Sequence, residues 1–175
     1  MRVEIRRFRE EDIPDKVRWI NDPANHAFLH YDIPLTEENT ALWFRRIKDA
    51  PDRLDCVIVA DGMPCGLIGL LHIDPVRGDA EYYVTVGEPA LKRKGVAFAA
   101  SGLLLSHAFA SLGLREICLY TETGNLPAQR LFRKLGFERE ADPLPDHYPG
   151  GKPAFRFVLG APAPDNRTEE PWKRP

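Results

Sequence analysis

Apolar and polar residues follow two different periods along the chain, and the changes of period predict the order of the elements. Residues 3–8 alternate apolar and charged side chains, which is typical of a half-buried strand. A helix is predicted from about Asp12, with Pro14 tolerated in its first turn, and the Asn-Asp-Pro sequence at residues 21–23 ends it. The side chains expected on its inner face are Ile13, Val17 and Ile20.

A second helix is predicted to begin after Thr36. This threonine is a suitable N-cap, and Glu37 and Glu38 suit the positive end of the helix dipole. The helix should continue to about Lys48. The side chains expected to face the interior are Leu42, Phe44 and Ile47.

The middle of the chain has the short apolar runs and turn signals of a strand meander. Strands are predicted at residues 55–60, 65–73 and 81–86, with an Asp-Gly turn between the first two and a turn at residues 75–78 between the last two. Three antiparallel strands in a row are therefore expected at the centre of the fold.

A long apolar helix is predicted at residues 95–112, with Gly113 as its C-cap signal. Because apolar residues occur on most of its surface, we expect it to be well buried. The side chains expected to pack inside are Phe98, Leu103, Leu105, Ala108, Phe109 and Leu112.

The last third of the chain predicts a strand at residues 116–120, a short helix at 125–135 and strands near 137–141 and 155–159. The order of elements is that of an α+β layer structure. Residues 1–160 should form one domain. Residues 161–175 contain four prolines and many charges, which predicts a mostly disordered tail.

Composition narrows the functional classes. The 175 residues are 43% hydrophobic and 29% charged, as in a globular domain, and the net charge of −2 gives no reason to expect nucleic-acid binding. No apolar run approaches the roughly 18 residues of a membrane helix, and the first residues do not resemble a secretory signal. The three cysteines lie in apolar, strand-like runs without a CxxC pair, so we expect buried thiols and a cytoplasmic protein.

The sequence Leu-Lys-Arg-Lys-Gly-Val-Ala at residues 91–97 lies where a strand leads into the long helix. A helix N-terminus offers unpaired backbone N–H groups and a positive dipole end, which together bind phosphates. Gly95 and Ala97 lack bulk, and three basic residues precede them. On these residues alone, a basic loop with small side chains for packing remains equally open.

Three segments together resemble the GNAT superfamily of N-acetyltransferases. Lys92-x-x-Gly95-x-Ala97 resembles the family's acyl-CoA signature, Arg/Gln-x-x-Gly-x-Gly/Ala. Residues 125–137 resemble its Asn-x-x-Ala-x-x-x-Tyr-x-x-x-Gly-Phe helix, and residues 80–86 resemble its fourth strand. The similarity extends from about residue 3 to residue 159. Within the superfamily the chain is similar to the ribosomal-protein acetyltransferase (RimJ/RimL) branch, which also contains spermidine acetyltransferases, some aminoglycoside 6′-acetyltransferases and nucleotide-amino-sugar acetyltransferases.

The resemblance implies a fold and a cofactor site. The fold is a mixed, mostly antiparallel sheet of about seven strands flanked by about four helices, in which the fourth and fifth strands splay apart around the cofactor arm. The bound cosubstrate is acetyl-CoA, and no metal is expected. The residues implied to hold acetyl-CoA are Val84, Thr85 and Val86 for the acyl arm, Lys92, Arg93, Lys94, Gly95, Val96 and Ala97 for the pyrophosphate, Asn125 for the pantetheine, and Arg130, Phe132 and Lys134 beside it. For Arg130 and Lys134, a solvated helix face is the alternative.

The reaction implied is direct attack of a neutral amine on the thioester, which requires a group that takes the amine proton. Glu81 is the first candidate for this base, acting through a water, with Asp79 as a weaker alternative and a solvent-facing strand residue as the other interpretation. The family places a tyrosine general acid where this chain has Phe132. Because phenylalanine donates no proton, Tyr148, Tyr120 or water would have to replace it.

The acceptor site is expected between residues 19–44 and 142–152. The first segment carries Trp19, His26, Phe28, His30, Tyr31 and Trp43, and the second carries Asp142, Asp146, His147 and Tyr148. Aromatic faces and acids suit a cationic amine or a sugar, although packing alone would also explain these residues. His26 and His30 have helical i, i+4 spacing but lack a third ligand, which does not favour a metal site.

Two functions remain open. The first is an N-acetyltransferase acting on a small amine, an amino sugar or a protein N-terminus. The second is an acyl-CoA-binding GNAT-fold sensor without turnover, which the phenylalanine at position 132 favours. The expected partners are acetyl-CoA and an amine acceptor, with neither nucleic acid nor a membrane. Dimerisation is common in this family, so the resemblance also implies a homodimer, in which Trp172 of the tail would contact the partner subunit.

Overall fold

The structure is a computed structural model that describes residues 1–163. Its elements follow the predicted order, with one additional strand between the last two that were predicted. The strands are β1 (Val3–Arg7), β2 (Leu54–Ala60), β3 (Met63–Asp74), β4 (Asp79–Val86), β5 (Glu116–Glu122), β6 (Glu138–Arg139), β7 (Leu144–Tyr148) and β8 (Lys152–Gly160). The α-helices are α1 (Ile13–Asn21), α2 (Glu37–Ile47), α3 (Val96–Ala110) and α4 (Leu126–Lys134), joined by short 3-10 helices at Glu10–Asp12, Pro23–Phe28 and Pro89–Leu91.

All eight strands belong to one mixed sheet, in which β1 to β5 follow each other in chain order and β8 pairs with β5. The pairs are antiparallel except for β4 and β5, which run parallel. Their pairing begins at Asp79 and Glu116 and ends at Glu81 and Cys118, although both strands continue beyond it. The expected α+β fold and the divergence of the fourth and fifth strands are confirmed.

Two apolar cores lie on opposite faces of the sheet. The larger one packs α3 and α4 against one face, and the smaller one packs α1 and α2 against the other. Trp19 of α1 is buried over Gly87, where an added Cβ would lie 2.2 Å from the indole. Gly87 is therefore required by the close approach of the helix side chain to the strand end.

α2 begins as predicted, because Thr36 Oγ1 accepts a hydrogen bond from the Asn39 N–H at 3.1 Å. The prediction that Leu42 faces the interior is wrong, since its side chain is 49% exposed. The inner face of α2 consists of the buried Thr40 and the partly buried Phe44, one turn apart. Leu42 lies two residues from each, at about 200° around the helix.

α3 is buried on one side only. Its inner stripe is Val96, Ala100, Leu104 and Ala108 at i, i+4 spacing, with Ser101 and Leu105 beside it. Leu105 and Ala108 are buried as predicted, and Phe109 is partly buried. Phe98, Leu103 and Leu112 are exposed, so the prediction was wrong for these three. Because apolar residues occur all around α3, the sequence pattern did not indicate which side of the helix packs against the sheet.

The connection before the last strand was also mispredicted. No strand was predicted between residues 141 and 155, but this segment contains β7, which pairs with β8. Its sequence, Leu-Pro-Asp-His-Tyr, has no apolar alternation because most of its side chains are exposed. β6 is shorter than expected. Cys56 and Cys65 are buried and Cys118 is half-buried, all with free thiols. The predicted tail lies, from residue 164 onward, outside the described residues.

Candidate functional site

A cleft of about 1020 Å³ opens where β4 and β5 diverge. Its walls come from α1, the 3-10 segment Pro23–Phe28 and the residues after it, β4, the turn before α3, β5, α4 and the end of β7. The cleft is therefore bounded at one end by the basic turn and at the other by the aromatic segments that follow α1.

The turn before α3 is built around Gly95. This residue has φ +84, and no atom lies within 4 Å of an added Cβ, so backbone conformation rather than space requires glycine. Gly95 is the N-cap of α3 and supplies no side-chain hydrogen bond, which leaves the first-turn N–H groups free for an anion. The residues of the turn that line the cleft are Lys92, Arg93, Gly95, Val96 and Ala97, whereas Lys94 does not line it.

Basic side chains surround this end of the cleft without neutralising partners. Across residues 1–163, Lys92, Arg93, Lys94, Arg130 and Lys134 form no ion pair. Lys92 Nζ donates a hydrogen bond to the Ala24 carbonyl at 3.0 Å, and Lys134 Nζ lies 4.5 Å from the Phe98 ring centroid. The positive electrostatic potential of these basic side chains favours a ligand with several negative charges.

The inner wall consists of strand edges. Val84, Thr85 and Val86 line the cleft, and beyond Glu81 the edge of β4 that faces β5 has no strand partner in the described part of the chain. Across the gap, Asn125 caps α4 by accepting the Ala128 N–H at 3.3 Å through Oδ1. An extended ligand with amide groups can therefore pair with the free edge of β4, as a strand would.

Phe132 lines the cleft but is almost fully buried, at 6% exposure. Its ring packs edge-on against Tyr82 and Phe137, both at 6.2 Å between centroids, and against Phe157 at 5.8 Å. This residue provides an apolar wall and cannot transfer a proton.

The other end of the cleft carries Tyr148, at the end of β7. Burial, together with the carboxylates of Glu81 and Glu122, raises the pKa of Tyr148 to about 12, so its hydroxyl stays protonated at neutral pH. The His30 ring stacks on Tyr148 with centroids 3.8 Å apart. Tyr120 also lines the cleft, with its ring stacked on His147.

Two carboxylates approach Tyr148 from different strands. Glu122 is shared, because its Oε1 lies 3.1 Å from His30 Nε2 and accepts a hydrogen bond from Lys152 Nζ at 3.2 Å. Glu81 lines the cleft, and the one basic side chain of residues 1–163 within 4 Å of its carboxylate is the exposed His72, whose Nε2 lies 3.8 Å away. Burial lowers the pKa of His30 despite the neighbouring Glu122. Glu81 is thus the carboxylate better placed to accept a proton.

Asp79, the weaker alternative to Glu81, does not line the cleft. Its carboxylate is engaged with Arg77 at 2.7 Å. The pairing of β4 with β5 holds Asp79 opposite Glu116, at the closed end of the divergence. The structure therefore argues against Asp79 as a base.

Sequence analysis missed a polar cluster behind the aromatic wall. Lys16 lines the cleft at 7% exposure, with Nζ 3.2 Å from the centroid of Trp43. Nearby, Asp55 accepts two hydrogen bonds from Arg53 at 2.7 and 2.9 Å and one from the Tyr83 hydroxyl at 2.7 Å. The sequence contained an indication of this cluster. Lys16 lies three residues after Ile13 and four before Ile20, which places a lysine on the apolar face of α1.

Half of the predicted acceptor residues reach the cleft. Phe28, His30, Tyr31, Trp43 and Tyr148 line it, whereas Trp19, His26, Asp142, Asp146 and His147 do not. His26 and His30 also do not share an α-helix. His26 belongs to a 3-10 segment, with Nε2 3.1 Å from the Ile20 carbonyl oxygen, so the i, i+4 interpretation was wrong.

Asn25 connects the two ends of the cleft. Its Nδ2 donates one hydrogen bond to the Trp19 carbonyl at 2.8 Å and another to the Gly87 carbonyl at 2.9 Å. Trp19 Nε1 in turn donates to Glu88 at 2.8 Å. The segment after α1 is therefore fixed to the chain that leads into the basic turn.

The helices of residues 1–163 include none with the length and apolar character needed to cross a membrane. The same residues contain no group of three or more histidine, cysteine, aspartate or glutamate side chains that could hold a metal ion.

Comparison with known proteins agrees with this geometry. A model of the acetyltransferase (GNAT) domain matches residues 2–138. The spermidine N(1)-acetyltransferase of Escherichia coli (strain K12) is 27% identical over 155 residues, covering 86% of this chain and 80% of that protein. The alpha/beta-tubulin-N-acetyltransferase 9 of Mus musculus is 35% identical over 68 residues, covering 39% of this chain and 27% of that protein.

Solved structures share the fold. The spermidine N-acetyltransferase from Vibrio cholerae, solved in complex with CoA and spermine, has a TM-score of 0.83 at 18% identity, covering 91% of this chain and 95% of that one. A dodecameric structure of the same Vibrio enzyme has a TM-score of 0.78 at 20% identity, covering 95% of this chain and 98% of that one.

Proposed function

Because the chain belongs to the GNAT acetyltransferase domain family, we propose that it transfers an acetyl group from acetyl-CoA to a primary amine, by direct attack within a ternary complex. The observation that carries this proposal is the divergence of β4 and β5 beside the glycine turn that opens α3. It provides a free strand edge and an anion site in one cleft, which suits a long ligand with amides at one end and phosphates at the other.

We assign acetyl-CoA to this cleft by the chemistry of its walls. Val84, Thr85 and Val86 would pair with the amide groups of the pantetheine arm, and the Nδ2 group of Asn125 would add a donor. The turn formed by Lys92, Arg93, Gly95, Val96 and Ala97 would hold the pyrophosphate. Arg130, and more remotely Lys94 and Lys134, would supply positive charge around the phosphates, and Phe132 would pack beside the arm.

Glu81 would accept the proton of the incoming ammonium, through a water. An alkyl ammonium titrates near pH ~10.4, so a carboxylate in the cleft raises the fraction of neutral nucleophile at the reaction site. Glu81 lines the cleft and has no lysine or arginine of residues 1–163 within 4 Å of its carboxylate, which leaves it available for this role.

Tyr148 would protonate the departing thiolate, in place of the absent tyrosine at position 132. Its raised pKa keeps the phenol protonated, and the stacked His30 holds the ring. A thiolate is a tolerable leaving group, with a thiol pKa of about 8.5 for the cysteine analogue. General-acid help of about 10²–10⁴-fold is therefore useful without being indispensable.

The proposal is tested by thiol release from acetyl-CoA in the presence of a panel of primary amines. Release that depends on both the amine and the protein, with the N-acetylated amine identified by mass spectrometry, is the expected result. Tight CoA binding without thiol release from any amine would instead support a sensor that binds acyl-CoA without turnover. The observation that favours this second function is the buried Phe132, which cannot act as a general acid.

The free thiols of all three cysteines agree with a reducing compartment, and we propose a cytoplasmic enzyme that uses no metal. A homodimer remains a prediction. Size-exclusion chromatography with light scattering measures the oligomeric state directly.

A further inference from the structure

Lys16 is a mostly buried lysine whose ammonium group lines the cleft without a hydrogen-bond or ion-pair partner in the described part of the chain. Its residue is 7% exposed, yet its ammonium forms neither a hydrogen bond nor an ion pair with any residue from 1 to 163. The ammonium nitrogen is not sealed from solvent, since Asn25 Oδ1 is the only fully buried side-chain polar atom of residues 1–163 without a hydrogen-bond partner. Lysines with so little exposed surface are nevertheless usually paired, because even partial desolvation of a charge is costly. Since Lys16 lines the cleft, the missing partner can belong to a bound ligand.

The surroundings of Lys16 stabilise its charge only in part. Three aromatic rings face the ammonium, with centroids at 3.2 Å for Trp43, 5.7 Å for Phe8 and 5.8 Å for Tyr31. Aromatic faces attract a cation but accept no conventional hydrogen bond from it. The three N–H donors of the ammonium are therefore left for other acceptors.

Asp55, whose charge acts to raise the pKa of Lys16, is already in use by other partners. Asp55 accepts two hydrogen bonds from Arg53 and one from Tyr83, and its side chain is buried. The net charge of this group is about +1 when Lys16 and Arg53 are protonated and Asp55 is ionised. This end of the cleft thus attracts an anionic group and repels a second ammonium.

The protonation of Lys16 agrees with this arrangement. Burial lowers its pKa to about 8, and the attraction of Asp55 opposes this only in part. At neutral pH the ammonium is therefore still mostly charged, although the protein does little to stabilise that charge. A ligand anion beside it would supply what is missing.

The spacing of Tyr83 and Glu81 along β4 suits a small acceptor. Tyr83 and Glu81 are two residues apart on β4, so their side chains share one face at a separation of about 7 Å along the strand. Tyr83 contacts Asp55, beside Lys16, and Glu81 is the proposed base. One acceptor can therefore place its amine near Glu81 and its far end near Lys16.

We propose that Lys16 determines acceptor specificity by binding a carboxylate or phosphate group at the far end of the acceptor amine. This inference rests on the proposed acetyl transfer and names its acceptor class: an ω-amino acid or an amine of similar length that ends in an anion. A polyamine does not fit, since its second cation would face Lys16 and Arg53.

The test compares acceptors that differ only at the far end. 6-Aminohexanoate, hexylamine and hexane-1,6-diamine have the same chain and present an anion, a methyl group and a cation. We expect kcat/KM for 6-aminohexanoate to exceed that for the diamine by about tenfold or more, the size of one hydrogen bond between charged groups. 5-Aminopentyl phosphate tests whether phosphate serves as well as carboxylate.

Lys16→Met removes the charge and keeps an unbranched side chain of similar length. It should abolish the preference for 6-aminohexanoate over the diamine, and it should lower kcat/KM for 6-aminohexanoate more than it lowers kcat/KM for hexylamine. Lys48→Met, at the exposed end of α2, is the matched control and should keep the wild-type preference. Thermal unfolding of both variants shows whether they remain folded.

A binding measurement separates this inference from the proposed reaction. With CoA present, 6-aminohexanoate should raise the unfolding temperature of the wild type more than hexylamine does, and this difference should disappear in Lys16→Met. That result without thiol release from any amine would support the binding site and overturn the acetyl transfer. Thiol release that favours the diamine, or a loss in Lys16→Met that is equal for all three acceptors, would overturn the role of Lys16.

Discussion

The ring of His30 lies flat against the ring of Tyr148, with centroids 3.8 Å apart and planes 10° from parallel. The two residues come from opposite ends of the chain, one from the segment after α1 and one from the edge strand β7. Their contact closes the acceptor end of the cleft. It also immobilises the phenol that we assign as the proton donor.

Tyr148→Phe should lower kcat by about 10²-fold with little change in KM for the amine, because general-acid catalysis is lost while the ring stays in place. Steady-state thiol release measures both constants. Tyr120→Phe is the matched control, since Tyr120 lines the same cleft and was the competing candidate. A larger loss in Tyr120→Phe than in Tyr148→Phe would transfer the role to Tyr120.

Glu81→Gln should reduce kcat/KM by about 10²-fold near pH 7. The loss should shrink toward pH 10, because an alkyl amine then increasingly loses its proton without help. A pH–rate profile of the variant and the wild type checks this. Asp79→Asn serves as the control, and it should leave the profile unchanged because Asp79 is paired with Arg77 away from the cleft. A pH-independent loss in Glu81→Gln would argue for a binding role.

Phe132→Tyr should retain or raise activity. It places a hydroxyl where the family carries its general acid, next to the cleft and among the rings of Tyr82, Phe137 and Phe157. The informative measurement is kcat in the Tyr148→Phe background, where the new hydroxyl should restore part of the lost rate. A large fall in kcat for Phe132→Tyr alone, with the fold intact, would show that residue 132 does not occupy the general-acid position.

Gly87→Ala should destabilise the protein by about 1–3 kcal/mol or more, because the new methyl group would overlap the Trp19 indole. Gly102→Ala is the opposite case. This helical glycine has no atom within 4 Å of an added Cβ, so alanine should stabilise α3 by about 0.5–1 kcal/mol. Urea unfolding gives both values, and similar effects at the two positions would contradict the close packing of Trp19.

The titration of Lys16 should affect stability in a defined pH window. Its pKa falls from 10.5 to about 8 on folding, so between these values the unfolded chain binds more protons than the folded one. Stability from this group is therefore lowest below pH 8 and rises toward pH 10.5. The free energy of unfolding of the wild type, measured relative to Lys16→Met, should increase across that window. A flat difference would mean that Lys16 is solvated in the folded protein.

The sequence was sufficient for the elements whose period is unambiguous and for the turn at Gly95. The turn is specified by a backbone conformation that strongly favours glycine, and such a requirement leaves a mark at a single position. The exposed Leu42 and Leu103 show the limit of the same reasoning. An apolar side chain at a helical position does not reveal whether the neighbouring element covers it.

The polar half of the site was harder to predict, because its residues meet only in three dimensions. His30, Glu122 and Lys152 come from three separate segments, and no spacing along the chain relates them. β7 escaped prediction because an exposed edge strand has no apolar alternation. Lys16 could have been found, since a lysine on the apolar face of α1 contradicts the pattern around it.

Asn25 holds the carbonyl of Trp19 and the carbonyl of Gly87 with the two hydrogens of one amide group. One of these carbonyls belongs to the helix that carries Lys16, and the other precedes the turn that leads to Gly95. Both carbonyls depend on the same donor group, so the loss of this one side chain would release two segments of the cleft wall at once.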